Sequence, residues 1–513
     1  MSKFYQTFHF NHRFRTFRAT APAALASCTL WSLLLAGCAV GPNFVTPAAP
    51  ETPGFTDKPV PARTLPADTL GGVSQSFVTG RDIQGDWWGL FQSAQINELV
   101  DRALKANPTL AAAQASLRQA RENTRAEQGS FFPQISASAS GERERNALIN
   151  PVPSAYNVVS GSLSVSYTLD AFGGVRRQVE QLNAQAEYQR FELEATELTL
   201  VANVVNAAIS EASLQAQIDT TQDIVRAYTA ALDVTRRRFA LGGVSQVDVL
   251  QQQSLLDAQT ATLPGLHKQL EQQRNQLAVY LGGLPSEYKG PSLDLASLTL
   301  PDELPVSLPS SLVAQRPDVQ AYAALLHSAT ANVGVALANM LPQISLTGSY
   351  GRDGSSLSNL FNPAGIVWSI AGSIAQPVFA GGNLKARKRA AEAAVDVAAA
   401  QYSSTVNSAF QDVANALVAI NRDAETLAAN LATQKTAAAS LKVAQGQYSA
   451  GGGTYLDVLS AEEADTSARL KLISSQAIRY TDTVALFQAL GGGWWHRSDV
   501  DPKVVQCCGV SNP

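Results

Sequence analysis

The chain carries one pattern twice. A Gly-Gly turn followed by Asp-Val-Leu occurs in "FALGGVSQVDVL" (239–250) and again in "YSAGGGTYLDVL" (448–459), so Gly242, Gly243 and Asp248 return 209 residues later as Gly451, Gly452 and Asp457. The same offset takes Pro133-Gln134-Ile135-Ser136 to Pro342-Gln343-Ile344-Ser345, Pro108 to Pro317, and Leu281-Gly282-Gly283 to Leu490-Gly491-Gly492. The duplicated unit runs from 108 to 283 and from 317 to 492. A two-copy period this long is not a short solenoid repeat; it predicts two similar halves packed with pseudo-symmetry at their contact.

Each copy holds a run that only a very long helix satisfies. No proline occurs between Pro153 and Pro264 and no glycine between Gly174 and Gly242; the second copy repeats this from Gly382 to Gly451, interrupted only by Gly446. Ala, Gln, Leu, Glu and Arg dominate these stretches, all good helix formers. A helix of about 65 residues is roughly 100 Å long, more than a compact domain uses. Leu193, Leu198, Leu200, Val204, Val205, Ile209 and Leu214 keep an apolar stripe along the first run. Returning partners are expected at about 250–280 and 460–490.

Ahead of each long helix the period changes to two. Leu163, Val165, Tyr167 and Leu169 alternate with Ser162, Ser164, Ser166 and Thr168, and Ile135, Ala137 and Ala139 alternate with Ser136, Ser138 and Ser140. In the second copy Ile344, Leu346 and Tyr350 alternate with Ser345, Thr347 and Ser349, while Trp368, Ile370, Ile374 and Val378 share one side. This predicts four strands in two hairpins, at 131–170 and 340–379. On pattern alone an ordinary four-stranded sheet with one wet face is the plainer reading.

The N-terminus reverses that preference. Residues 1–37 contain Lys3, Arg13, Arg15 and Arg18, no acid, and an apolar run through Leu30–Leu35 that reads as an export signal too short to span a bilayer. Leu35-Ala36-Gly37-Cys38 resembles a lipobox, with Cys38 acylated as the new N-terminus, and Ala39 in place of Asp points to the outer membrane. Prolines at 42, 47, 50, 53, 59, 61 and 66 make an extended strap. An exported, lipidated chain with such strands and no apolar 20-mer fits an outer-membrane barrel. Four strands do not close one, since about eight is the practical minimum and open edges are not tolerated in lipid, so several chains must share it. Removing four positive charges from a net charge of -4 leaves -8, which excludes nucleic acid as a natural partner. With Cys28 in the leader, Cys38 acylated and Cys507-Cys508 in the tail, no disulfide framework or metal pattern remains.

These residues resemble the outer-membrane factors of tripartite efflux and secretion systems, the TolC/OprM/NodT-like channel lipoproteins. The resemblance covers essentially the whole mature chain. It rests on Cys38-Ala39-Val40-Gly41-Pro42-Asn43-Phe44, on Asp86-Trp87-Trp88, on Asn107-Pro108 with its echo Arg316-Pro317, on both Pro-Gln-Ile-Ser strand starts and on the two Gly-to-Asp-Val-Leu hairpins. It implies a mixed α and membrane-β fold: a homotrimer whose 12-stranded outer-membrane β-barrel, four strands per chain, is continued by a long periplasmic α-helical barrel. The implied domains are a signal peptide (1–37), a lipidated strap (38–85), two repeats (86–300 and 301–493) and a tail (494–513). The implied partners are outer-membrane lipid, a periplasmic adaptor and an inner-membrane RND-type pump. No cofactor is implied beyond N-acyl and S-diacylglycerol groups on Cys38.

By the same resemblance the glycine turns are tips that meet the adaptor, and Asp457 matches an acidic position ringing the closed aperture. Family members with a double acidic ring carry a second carboxylate where this chain has Ser460, so a single ring is the most that transfers. Asp248 and Asp457 also stand just after a turn, where either can cap the returning helix. Arg236-Arg237-Arg238 beside the first tip fits pairing with acids or a solvated helix end. Lys385, Arg387, Lys388 and Arg389 open the second long helix, against the helix dipole. Enzyme chemistry lacks support: His267, His327 and His496 have no i,i+4 partner, there is no phosphate loop, and "GGVSQ" lacks the last glycine of a nucleophile elbow. Only Met1 and Met340 occur, so a methionine-lined copper path has no support either. Two functions fit, an efflux conduit and a lipid-anchored tether; the alternating strands favour the conduit, since a tether needs none.

Overall fold

The computed structural model describes residues 39–145, 155–291 and 293–497. Cys38 and the Cys507-Cys508 pair lie outside them. Strand β1 (Ser76–Thr79) and helix α1 (Ala94–Ala106) lead into the first copy: α2 (Pro108–Gln128), β2 (Gln134–Arg145), β3 (Ala155–Leu169), α3 (Gly174–Ala240) and α4 (Gln246–Tyr280). Strand β4 (Glu303–Val306) and α5 (Pro309–Gln315) lead into the second: α6 (Pro317–Ala338), β5 (Gln343–Gly354), β6 (Ile366–Ala375), α7 (Asn383–Ser449) and α8 (Tyr455–Ala489). The long helices α3 and α7 have 67 residues each, and their returning partners α4 and α8 have 35 each. Pro264 sits inside α4, which continues past it, whereas α8 has Ile473 at the equivalent place.

The chain divides into two compact units. One contains the chain up to Gly41, Ser130–Arg177 and Gly334–Leu384. Its antiparallel sheet has the order β2-β3-β5-β6. The register puts the serines on one face, where Ser136–Ser164, Ser138–Ser162, Ser140–Ser160, Ser345–Ser373 and Ser349–Ser369 form hydroxyl pairs at 2.7–3.1 Å. The other face leaves Ile135, Leu163, Tyr350, Trp368, Ile370 and Ile374 exposed. Val378 is not part of this face, because β6 stops at Ala375 ahead of Gln376-Pro377 and proline donates no ladder hydrogen bond.

The other unit is helical: Pro42–Gly129, Gln178–Val333 and, of the described residues, 385–497. Its core gathers Trp87, Phe91, Ile96, Leu99, Val204, Ile209, Leu277, Leu312, Val413, Ile420, Val484 and Phe487. Trp87 of the Asp-Trp-Trp motif stacks on Phe487 with ring centroids 5.4 Å apart. Four expectations change here. The segment between the copies forms β4, which pairs in parallel with β1 from the strap. Pro301, Pro305 and Pro309 delay the second-copy helix until Pro309 takes its first turn, so the backbone ahead of it is free to pair as a strand.

The strap is therefore packed well before Asp86. Fully buried Gln75 accepts from Arg479 Nη2 at 2.6 Å and donates to Pro301 O and to Thr483 Oγ1. Gln476 donates to Thr69, and Phe44 stacks on His327, which bonds Glu180. The body also runs past 493: Trp494 and Trp495 are buried in a 3-10 turn, donating to Gln315 O and to Asp82. Finally, α6 is by length and composition apolar enough to cross a membrane, although no apolar 20-mer was expected. Its Val319, Ala321, Leu326, Ala331 and Val333 are buried, which makes it a core helix.

Both copies finish in the same way. Gly282 and Gly491 follow α4 and α8 with φ of +74° and +93°, and a Cβ added there would stand 2.1 Å from Ala106 O and 2.6 Å from Gln315 O, at the ends of α1 and α5. Gly242 has φ +77° and open space around it. Gly282→Ala is expected to cost about 2–4 kcal/mol, from left-handed strain plus overpacking. Gly242→Ala is expected to cost about 1–2 kcal/mol, from strain alone. Thermal unfolding of the two variants checks the order, and equal losses would remove the close-approach argument.

Candidate functional site at the hairpin tips

The two turns are built alike. Gly242 N donates to Phe239 O and Gly243 N to Arg238 O, closing the end of α3; Gly451 N and Gly452 N do the same to Tyr448 O and Gln447 O at the end of α7. Positive φ at Gly242 and Gly451 lets each helix reverse within a few residues. The returning helices begin with capping boxes. Asp248 N donates to Ser245 Oγ while Ser245 N donates to Asp248 Oδ2; Asp457 N donates to Thr454 Oγ1 while Thr454 N donates to Asp457 Oδ2. The hydroxyl and backbone N–H of Thr454 hold the Asp457 carboxyl below its ordinary range. Asp248 and Asp457 thus do the same local work, and neither stands apart by its surroundings within one turn.

The tips differ on the faces where the two hairpins meet. Tyr228 and Thr466 share a hydrogen bond at 2.8 Å, and Tyr455 OH bonds Gln252 Oε1 at 2.5 Å and Thr235 Oγ1 at 3.1 Å. The Tyr455 ring tilts against Tyr448, whose face lies 5.6 Å from the Arg238 guanidinium. Glu462 and Asp465 are each only 9% exposed beside this cluster. Burial pushes Glu462 up to about 7, partly countered by Gln252 and Gln445. Burial also pushes Tyr228 up to about 12, with the carboxylates of Glu462, Asp465 and Glu463 adding to it.

Apart from Arg238, these contact residues do not stand out in the sequence, yet a signal was available. Tyr455, Glu462, Asp465 and Thr466 stand where the first copy has Gln246, Gln253, Leu256 and Asp257, and Tyr228 and Thr235 stand where the second has Ala437 and Ala444. The contact is made where the repeat breaks. Of the basic run, Arg237 pairs with Asp233, Arg236 bonds Gln253, and Arg238 faces Tyr448. At the start of α7, Lys388 pairs with Glu392 one turn on.

Outward, the first tip is the more apolar. Leu241, Val247 and Leu250 are 87%, 59% and 60% exposed, while Val458 and Leu459 of the second tip are buried. Leu456 of the second tip is 57% exposed, so both tips show apolar side chains to water, the first more of them.

Comparison with known proteins identifies the family. The model of the family described as outer membrane efflux protein matches residues 99–283 and 308–492, two spans that begin 209 residues apart. The toluene efflux pump outer membrane protein TtgC of Pseudomonas putida is 30% identical over 481 residues, covering 93% of this chain and 96% of that protein. The solved structure of the outer-membrane channel OprN superposes with a TM-score of 0.80 at 28% identity, over 89% of this chain and 100% of that one. The open state of the Neisseria gonorrhoeae MtrE outer membrane channel does so with a TM-score of 0.76 at 27% identity, over 90% and 100%. With both copies of the duplicated unit matched and a relative aligned over nearly its whole length, the chain belongs to the outer membrane efflux protein family, and its place is the outer membrane.

Proposed function

We propose that this chain is the exit channel of a tripartite efflux system. Three copies close a 12-stranded barrel in the outer membrane, and their long helices line a periplasmic conduit. Small toxic compounds pass through it without covalent chemistry, driven by an inner-membrane RND-type pump and handed on by a periplasmic adaptor. The sheet carries this reading. Its four strands have one exposed apolar face, one face of paired hydroxyls, and unpaired edges at β2 and β6. In lipid those edges need partners, and a second and third copy supply them. A tether has no use for such a sheet.

Opening would proceed by movement of the tips, with Asp457 ringing the aperture and Gly242, Gly243, Asp248, Gly451 and Gly452 shaping the adaptor contact. Exposed Leu241, Val247 and Leu250 suit that contact, since apolar side chains in water gain by burial against a partner. Cys38, with N-acyl and S-diacylglycerol groups, would anchor the strap. Mass spectrometry of the N-terminal peptide is expected to find both groups on Cys38 and neither after Cys38→Ser. An unmodified Cys38 in mature protein would remove the anchor.

Deleting the gene in its host is expected to raise accumulation of chemically varied dyes and antibiotics, and the wild-type copy to reverse it. Asp457→Ala is expected to raise conductance of the resting channel in planar bilayers more than Asp248→Ala does. Equal, unchanged conductance would leave both residues as helix caps.

Glu462 adds a pH dependence. Its carboxyl is raised by burial in the closed packing, so its contribution is complete below the ordinary carboxylate value of 4.5 and is lost as pH climbs through about 7. Resting conductance is expected to rise between about pH 5 and pH 8 and to stay flat and low in Glu462→Gln, which keeps the neutral form at every pH. A wild-type channel with no such rise would take Glu462 out of the closed packing.

A further inference from the structure

The strand ends beyond the two hairpins carry charges sorted by face. In β2 the sequence Glu142-Arg143-Glu144-Arg145 alternates, so the register sends Glu142 and Glu144 to the serine face and both arginines to the apolar face. Asp353 in β5 stands opposite Ser160, on the serine face, and Arg352 stands opposite Gly161 and Ile366, on the apolar face. No acid shares the apolar face among the described strand residues. The nearest cross-strand neighbour of Arg143 is Asn157, and Arg352 spends one N–H on Phe361 O at 3.0 Å. Glu144 accepts from Tyr156 on its own side of the sheet. Arg143 and Arg352 are equivalent positions of the duplication, 209 residues apart.

Their height on the sheet is fixed by independent landmarks. Ile135 and Ile344 each precede an arginine by eight residues, which at about 3.3 Å per residue is roughly 26 Å along the strand and, at the tilt of barrel strands, about 20 Å of height, most of an outer-membrane apolar band. Tyr350 and Trp368 face one another across β5 and β6, two positions below Arg352, and are 54% and 70% exposed. At the opposite end, just outside β2 and β6, Phe132 and Phe379 are 67% and 90% exposed. Aromatic girdles of this kind mark the two interfaces of a membrane barrel. The arginines stand just past the hairpin-end girdle, at the ends of the strands away from those that run on into α3 and α7.

We propose that Arg143 and Arg352 bind the phosphate groups of the glycolipid in the outer leaflet. The inference rests on reading this sheet as part of an outer-membrane barrel. A guanidinium at an apolar rim, with no carboxylate on its face, is matched by a phosphate that brings its own acyl chains to the band below. Sending the acids to the opposite face leaves that attraction uncancelled. In a closed trimer each chain would contribute both positions to a ring.

The test uses the full-length protein purified in detergent, with retention of diphosphoryl lipid A and of fully dephosphorylated lipid A compared by native mass spectrometry. Wild type is expected to retain the diphosphoryl form, and R143Q/R352Q to lose that retention by roughly tenfold or more. R143K/R352K is expected to restore much of it, and the dephosphorylated lipid to bind both proteins alike. Equal retention of diphosphoryl lipid A by wild type and the Gln double variant would overturn the proposal. So would full displacement of the lipid by an equal concentration of inorganic phosphate, which would assign the arginines to free anion. Single-channel conductance of both proteins separates the two readings. A wild type that forms no channel overturns the barrel itself, whereas conducting channels with unaltered lipid retention overturn only the arginine belt.

Discussion

A backbone N–H or C=O in hydrocarbon has no water to turn to, and that constraint governs the rest of this molecule. The chain supplies a four-stranded sheet whose outer strands, β2 and β6, each pair on one side only. Alone, such a sheet would carry two rows of unsatisfied groups into lipid, each worth several kcal/mol. In the proposed barrel, assembly is then a condition of membrane residence, and the alternation of side chains follows from it. One face must suit acyl chains, while the other must suit water and small solutes. Serine pairs serve the second need compactly, because each hydroxyl finds its partner across the strands, and the acids of that face, Glu142, Glu144 and Asp353, are confined to the hairpin end.

The helical unit meets the same demand within each helix. Sixty-seven residues without proline keep the backbone of α3 and of α7 bonded to itself for the whole run, so length costs little in unsatisfied groups and the open accounts lie at the ends. There the two copies solve one problem with different side chains. Asn107 caps α2 and donates to Tyr280 O at the end of α4; Arg316 donates to Ala489 O at the end of α8 and pairs with Asp318 and Asp412. Carbonyls and donors both stand at equivalent positions, 209 residues apart, but one donor is an amide and the other a guanidinium. What the duplication preserves is the bonding requirement of the backbone, and side chains have drifted under it.

Much of this was legible from residue order. The absence of Gly and Pro fixed the long helices, period-two serine runs fixed the strands, and Gly-Gly before Asp-Val-Leu fixed the tips. The β1–β4 pair was hidden because two four-residue strands, one of them containing Pro305, carry no alternation long enough to read. Packing is the default reading of the adjacent Trp494 and Trp495, and both are buried; what they pack on was hidden, because their partners, Gln315 and Asp82, are remote in sequence. Tyr455, Gln252 and Glu462 were hidden for a related reason: they matter through a contact between hairpins, and single-helix periodicity says nothing about which residues face another helix.

That contact shows what two unequal copies provide that a pair of identical hairpins does not. A symmetric pair must offer both sides of every contact from each member, so a bond such as Tyr455 to Gln252 would have to be made twice or be balanced on the axis. Once the copies diverge, one hairpin can carry the phenol and the buried carboxyls while the other carries the amide, Tyr228 and Thr235. The second tip then turns its apolar Val458 and Leu459 inward, and the first is left with Leu241, Val247 and Leu250 facing water. Under the proposed function, closure and docking would then depend on different residues. A change in one tip that loosens the polar cluster need not disturb the greasy surface of the other, and the separation rests on ordinary packing alone.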